Sequence, residues 1–319
     1  METKGSARRR VMDALVRLTL VTLPLYFKYF PIAQGKAFVW KHLVMRRLIW
    51  RRPALTAISV FGARFEVCFP DILQTYLYFF GVWEPVITRY LSEELAEGDI
   101  FIDVGANIGY HSLLASRRVG ATGKVFAIEA ASSTFSKLQE NLSRNDARNV
   151  TAFHVAVSDT AAQVPVWLSP KGDSPGTTTL SHVAQQRKTL KVVESVEAKP
   201  LQQIIDVETI RRARFIKIDV EGAEWAVIKS LAELLKTVSP RTEFIIEVDE
   251  VLVRHSGGTM ERFLDFFAAA GFEPFVIPNR YDAGFFANKA RRIELKRFDA
   301  GKKFGQADLV FRQRPPKSG

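Results

Sequence analysis

Apolar and polar positions change period several times along the chain, and the changes mark its elements. Ile100-Phe101-Ile102 ends in a carboxylate, Asp103, and small residues follow through Val104-Gly105-Ala106-Asn107-Ile108-Gly109 before Tyr110-His111-Ser112-Leu113-Leu114 resumes helical spacing. The grammar is a buried strand, a tight turn and a helix. Lys124 to Glu129 and Val150 to Val157 read as strands around a helical pattern from Ser132 to Asn145. Arg214 to Asp219 and Glu243 to Val248 are two more, with a helix beginning near Gly222. Such alternation indicates βαβ units and a parallel sheet. Phe272 to Ile277 and Asp308 to Phe311 predict a closing antiparallel pair, and Asn279 to Gln306 between them reads as a polar, basic loop without a helix. The connection from Ser158 to Ala213 is long for an α/β unit. Its alternating runs, Val164 to Leu168 and Leu190 to Val196, flank Gly176-Thr177-Thr178-Thr179-Leu180 and predict a hairpin and a flap over the carboxyl edge of the sheet.

The N-terminal region follows another pattern. From Val11 to Phe30 the spacing is helical, and Arg10, Asp13, Arg17 and Lys28 fall within an arc of about 60°. Pro24 is expected to kink or divide that helix. No uncharged run reaches the roughly 20 residues that a spanning helix needs. Asp13 and Arg17 also interrupt what would be the apolar region of a signal peptide. Phe38 to Arg52 mixes tryptophans with basic residues, the composition of a helix lying among lipid headgroups. After Pro53, Ile58 to Phe69 alternates around Gly62 as a hairpin, and helical pieces from Asp71 to Leu95 are divided by Gly81-Val82-Trp83-Glu84-Pro85. The expected division is thus a basic helical extension over 1–52, an accessory hairpin and helices over 53–97, and an α/β domain over 98–319.

Charge sharpens this picture. The chain of 319 residues has a net charge of +11, yet residues 1–52 hold 12 Lys/Arg against 2 Asp/Glu, leaving +1 for the remainder. Nucleic-acid binding through the main body therefore has little support, although a basic arm can still bind RNA. The expected partner of residues 1–52 is an anionic membrane surface, or else the protein itself or a partner subunit. A single cysteine, Cys68, excludes an internal disulfide and suits a reducing, cytoplasmic setting, with peripheral attachment to the inner face of the membrane as the addition. Five histidines, none in a close pair, give no zinc pattern, and no metal is expected, with one bridging Asp219 and Glu221 as the minor alternative.

Candidate chemistry gathers at strand ends. Gly105, Asn107 and Gly109 form the turn after Asp103, and the glycines are expected to let backbone approach a ligand at the helix N-terminus. The turn lacks the third glycine of the dinucleotide fingerprint. Asp103 would repel a pyrophosphate and suits a cationic ligand portion, such as the ammonium of S-adenosylmethionine. Glu129 ends the next strand, where an acid hydrogen-bonds ribose hydroxyls in doubly wound folds. Ser158 and Asp159 follow as the expected border of the adenine. Asp219 and Glu221 end a central strand beside the ligand crevice. Two crowded acids raise each other's pKa, so Asp219 is the expected general base, with Glu221 orienting a hydroxyl or sharing a proton.

Trp83-Glu84-Pro85, Gly98-Asp99, Asp103 to Gly109, Glu129, the helix end from Asn141 to Asn145, Ala156-Val157-Ser158-Asp159 and Lys217-Ile218-Asp219-Val220-Glu221-Gly222-Ala223-Glu224 together resemble the FkbM-type S-adenosylmethionine-dependent methyltransferases over residues 80–250. The resemblance implies a class I methyltransferase, Rossmann-like fold: a seven-stranded sheet, helices on both faces, the last strand antiparallel. It also implies O-methylation of a hydroxyl on a sugar, glycolipid or natural product. Ala130 stands where the family commonly has proline, and Leu201-Gln202-Gln203 replaces a frequent acidic pair. Two other classes share such a fold: a membrane-associated binding module without catalysis, and a nicotinamide-dependent oxidoreductase.

Overall fold

The N-terminal helix α1 (Lys4–Tyr29) continues through Pro24 as one helix, against the expected division. Proline leaves the carbonyl four residues earlier without its helical donor. That carbonyl belongs to Leu20, and Tyr78 Oη donates to it at 2.9 Å. Just beyond the helix, Lys36 Nζ donates to the carbonyls of Phe27 and Phe30 at 3.2 and 2.7 Å, placing a cation at the negative end of the helix. In this computed structural model residues 4–30, 35–51, 54–168, 190–287, 293–299 and 305–313 are described. They divide into one unit of Met1–Pro85 with Arg280–Arg291 and another of Val86–Asn279 with Arg292–Gly319.

In the first unit α2 (Lys36–Val39) continues through a π-helical stretch, Trp40–Leu48. The strands β1 (Ala54–Ile58) and β2 (Arg64–Cys68) make the expected antiparallel hairpin. Asp71 caps α3 (Ile72–Phe80), its carboxylate accepting from the Gln74 N–H at 2.8 Å, while the next helix, α4 (Pro85–Glu94), belongs from Val86 onward to the second unit. Aromatic side chains weld these pieces together. The Phe27 ring, 1% exposed, lies 4.9 Å from Phe80 and 5.8 Å from Trp40 and from Phe79. The stretch read as a helix-free loop contains the helix Ala283–Ala287, and its buried Ala283 and Phe286 belong to the same cluster.

The second unit carries β3 (Ile100–Val104), α5 (Tyr110–Val119), β4 (Lys124–Glu129), α6 (Ser132–Arg144) and β5 (Val150–His154). Then come β6 (Ala156–Val157), β7 (Ala162–Leu168), β8 (Lys191–Lys199), β9 (Phe215–Ile218), β10 (Glu243–Asp249), β11 (Phe272–Ile277), β12 (Lys296–Arg297) and β13 (Gln306–Gln313). The main sheet runs β12-β11-β13-β10-β9-β3-β4-β5. From β5 to β10 all neighbours are parallel, and the last strand, β13, enters antiparallel between β10 and β11. This is the class I methyltransferase arrangement with one correction, eight strands in place of seven. The extra strand is β12, which pairs Arg297 with Phe275 and covers the outer edge of β11. Every residue of β3 and β9 is buried, as parallel strands covered on both faces require. The predicted hairpin is present as β7 and β8, with β6 added beside β8. The flap segment around Gly176 to Leu180 lies outside the described residues.

Because Phe27 fills the aromatic core of the first unit, Phe27→Ala is expected to destabilise it by about 3–5 kcal/mol. Denaturant titration followed by tryptophan fluorescence measures this, and a loss below about 1 kcal/mol contradicts the structural role of α1.

Candidate functional site

The turn after β3 closes over the end of β9 at very short range. Gly105 has φ +87°, and a Cβ there would stand 1.9 Å from the Asp219 carbonyl oxygen. Only glycine fits unless one of the two strand ends moves. The Asp219 N–H in turn donates to the Val104 carbonyl at 2.9 Å. A Cβ on Gly109 would stand 2.6 Å from Leu138 Cδ1 on α6. At both glycines the place a side chain would take is filled by the protein's own atoms.

Glu129 clasps this turn to the end of β4. Its Oε2 accepts from the Asn107 N–H at 3.0 Å and its Oε1 from the Ala131 N–H at 2.9 Å. The N–H groups of Gly105 and Ala106 both donate to the Ile128 carbonyl at 2.9 Å. Asn107 sits in the left-handed region, with φ +51°. Burial pushes the Glu129 pKa up to about 7 against the opposing backbone hydrogen bonds. A carboxylate offers about four lone-pair positions, so the backbone hydrogen bonds do not exhaust its acceptor capacity.

Asp103, 1% exposed, accepts from Ser112 Oγ at 2.6 Å through Oδ2. Among the described residues no donor reaches its Oδ1. Burial raises the pKa of Asp103, and the charge of Lys217 acts the other way. Lys217 lies across from Asp103 in the sheet, is itself buried, and places Nζ 2.7 Å from Asp219 Oδ2. Asp308 enters from β13 and is buried, and burial followed by the charge of Asp219 raises its pKa. Burial, then the charge of Lys217, hold the His111 pKa well below the usual imidazole value, so the ring is neutral.

The loop after β9 is closed by Glu224. Its Oε1 accepts from the N–H of Gly222 at 3.0 Å and of Val220 at 3.3 Å, and burial pushes its pKa up to about 7. Within this loop Asp219 and Glu221 are half-buried, and Glu221 takes φ +51°. The expected crowding of Asp219 by Glu221 is replaced by an ion pair of Asp219 with Lys217, and the acid shifted towards neutrality is Glu224. Ser158 and Asp159 follow β6. The Ser158 N–H donates to the Lys199 carbonyl at 3.0 Å, and Asp159 Oδ2 lies 2.5 Å from Lys229 Nζ on the helix Glu224–Ser230. The Asp159 carboxylate therefore ties β6 to that helix.

The structure thus brings Asp103, Gly105, Asn107 and Gly109 to the end of β3, Glu129 to the end of β4, and Asp219 with Glu221 to the end of β9. These are three adjacent strands. Glu224, already part of the motif that begins at Lys217, joins them, with three residues to which sequence reasoning gave no role: His111, Lys217 and Asp308. Lys217 had a signal, since a lone cation in the apolar run Phe215-Ile216-Lys217-Ile218 needs a buried acid as partner.

Residues 103–274, more than half of the chain, match the family model described as the methyltransferase FkbM domain. Hexuronic acid methyltransferase AglP of Haloferax volcanii is 28% identical over 189 residues, which span 59% of this chain and 72% of that protein. Methyltransferase sdnD of Sordaria araneosa is 29% identical over 165 residues, 44% of this chain and 62% of that protein, so under two thirds of its length is spanned. Among solved structures, methyltransferase FkbM from Methylobacillus flagellatus KT aligns over 86% of this chain and 60% of its own, with 14% identity and a TM-score of 0.40. With the family model covering the β3 turn, Glu129 and the loop after β9, the chain belongs to the FkbM family of S-adenosylmethionine-dependent methyltransferases.

Proposed function

We propose that this enzyme O-methylates a hydroxyl group of a sugar, with a uronic acid, free or lipid-linked, as the preferred acceptor. The observation that carries the reading is the Lys217–Asp219 pair, a fixed carboxylate at the end of β9 beside the turn that receives the cofactor. The hexuronic acid specificity in the name of the Haloferax relative supports the acceptor class. In the same reading residues 1–52 hold the enzyme peripherally against an anionic membrane surface.

The residues present fit the cofactor. Asp103 Oδ1 is a buried acceptor with no donor among the described residues, suited to a cationic amine. Glu129 keeps acceptor capacity for the ribose hydroxyls, and Ser158 and the backbone around Asp159 border the adenine. Bound S-adenosylmethionine supplies a methyl group on a positively charged sulfur. Asp219 Oδ1 takes the hydroxyl proton as the acceptor oxygen is methylated. Lys217 on Oδ2 fixes the carboxylate plane, and Glu221 accepts a hydrogen bond that orients the acceptor. Positioning of this kind is worth about 7–11 kcal/mol in favourable cases, and proton removal adds typically about 10²- to 10⁴-fold.

Incubating the full chain with methyl-labelled cofactor and uronic acid glycans, neutral glycans and lipid-linked sugar extracts should label a sugar hydroxyl, uronic acids most strongly. Label confined to protein, RNA or non-sugar fractions overturns the acceptor class. Asp219→Asn is expected to lower turnover by about 10² or more while S-adenosylhomocysteine affinity stays within about threefold. Near-normal turnover in this variant removes Asp219 as the base. Ribose hydroxyls donate to the ionised form of Glu129, so ligand binding releases its proton, and S-adenosylhomocysteine affinity should rise as pH passes up through about 7. Calorimetry across that range should find weaker binding and no such rise in Glu129→Gln; an equal rise in both proteins dissociates Glu129 from the ribose.

A further inference from the structure

One face of α1 is buried in the first unit, through Leu20, Pro24 and Phe27, and the opposite face is bare. Val11, Leu15, Leu18, Val21, Leu25 and Tyr29 are each between 52% and 73% exposed. At 100° per residue they fall within an arc of about 120° and extend over roughly 27 Å of helix. Ala14 and Thr22, the other residues of that arc, are exposed and uncharged. Thr22 Oγ1 donates to the Leu18 carbonyl at 2.9 Å, so that hydroxyl is satisfied within the helix itself. Soluble surfaces rarely expose an apolar strip of this length without a partner.

Charge decides what covers it. Arg17 and Lys28 stand at one border of the strip, and the following segment carries Lys41, Arg46 and Arg47 beside the exposed Phe38 and Trp50. With a net charge of +10 on residues 1–52, a second copy of this surface would meet like charge across the contact, whereas anionic lipid headgroups would neutralise it. None of the described helices is long and apolar enough to cross a membrane. An amphipathic helix with such a face lies in the plane of the interface, its apolar residues among the upper acyl chains.

We propose that the strip from Val11 to Tyr29 is the membrane-inserting face of the enzyme, lying in the plane of an anionic bilayer with the basic residues of the segment on the headgroups. This rests on the peripheral membrane reading above and deepens it by assigning the contact to an apolar helix face in place of charge alone. Removing residues 1–52 would not test it, because Phe27, Trp40 and Val44 are core residues of the first unit.

The test uses the full chain and its Leu18→Glu/Leu25→Glu double variant, both substitutions at exposed positions, with vesicles of phosphatidylcholine alone or mixed with phosphatidylglycerol. Thermal melting and S-adenosylhomocysteine affinity should be the same in both proteins. The parent chain is expected to sediment with the anionic vesicles, and the partition coefficient of the variant to fall at least about tenfold. If the parent binds neither vesicle, the peripheral membrane reading fails as a whole. If parent and variant bind anionic vesicles equally, that reading stands and the face is wrongly assigned. If the parent is a dimer without vesicles and the variant a monomer, the strip belongs to a second copy and the proposal is overturned.

Discussion

The site depends on how closely two strand ends approach each other. At Gly105 the space where a side chain would begin is taken by the Asp219 carbonyl, so β3 and β9 end in a single joint. Everything chemical is hung on that joint. Asp103 and Lys217 pair two residues before it, Asp219 is part of it, and Glu129 ties the turn above it to β4. Glu224 then closes the β9 loop with two backbone hydrogen bonds, which fixes where Asp219 and Glu221 stand. A methyltransferase gains most by holding two reactants in line, and backbone packed against backbone holds more rigidly than side chains do.

The corner is also costly to build. Asp103, Glu129, Glu224 and Asp308 are buried acids, and burial raises the pKa of each. Lys217 is the buried cation that the Asp103 and Asp308 carboxyls share, while its ammonium is held on Asp219. Such acids persist where their lone pairs have a use. In the proposed reading, the ammonium and ribose diol of the cofactor supply the donors for Asp103 Oδ1 and Glu129.

Much of this was legible in the sequence. The alternation of strands and helices gives the sheet, and the carboxylates at positions 103, 129 and 219 mark the ends of three adjacent strands. What stayed hidden depends on contacts between distant residues, which local periodicity does not carry. Pro24 signals a break, yet Tyr78, 54 residues away, supplies the donor that keeps the helix whole. Two neighbouring acids at 219 and 221 signal mutual repulsion, yet Lys217 takes Asp219. Gly105 and Gly109 signal close backbone approach, and the pattern does not tell that Asp219 and Leu138 stand where their side chains would be. Asp308 comes to the site on the last strand, and the pattern of that strand reads only as core.

The joint itself is open to a direct measurement, since Gly105→Ala adds one methyl group where the Asp219 carbonyl stands. Calorimetry of S-adenosylhomocysteine binding to this variant, with its folded state verified by circular dichroism, should show affinity reduced at least about tenfold, or about 1.4 kcal/mol. Unchanged affinity in a stable, folded Gly105→Ala protein would contradict the claim that the contact of β3 with β9 builds the cofactor corner.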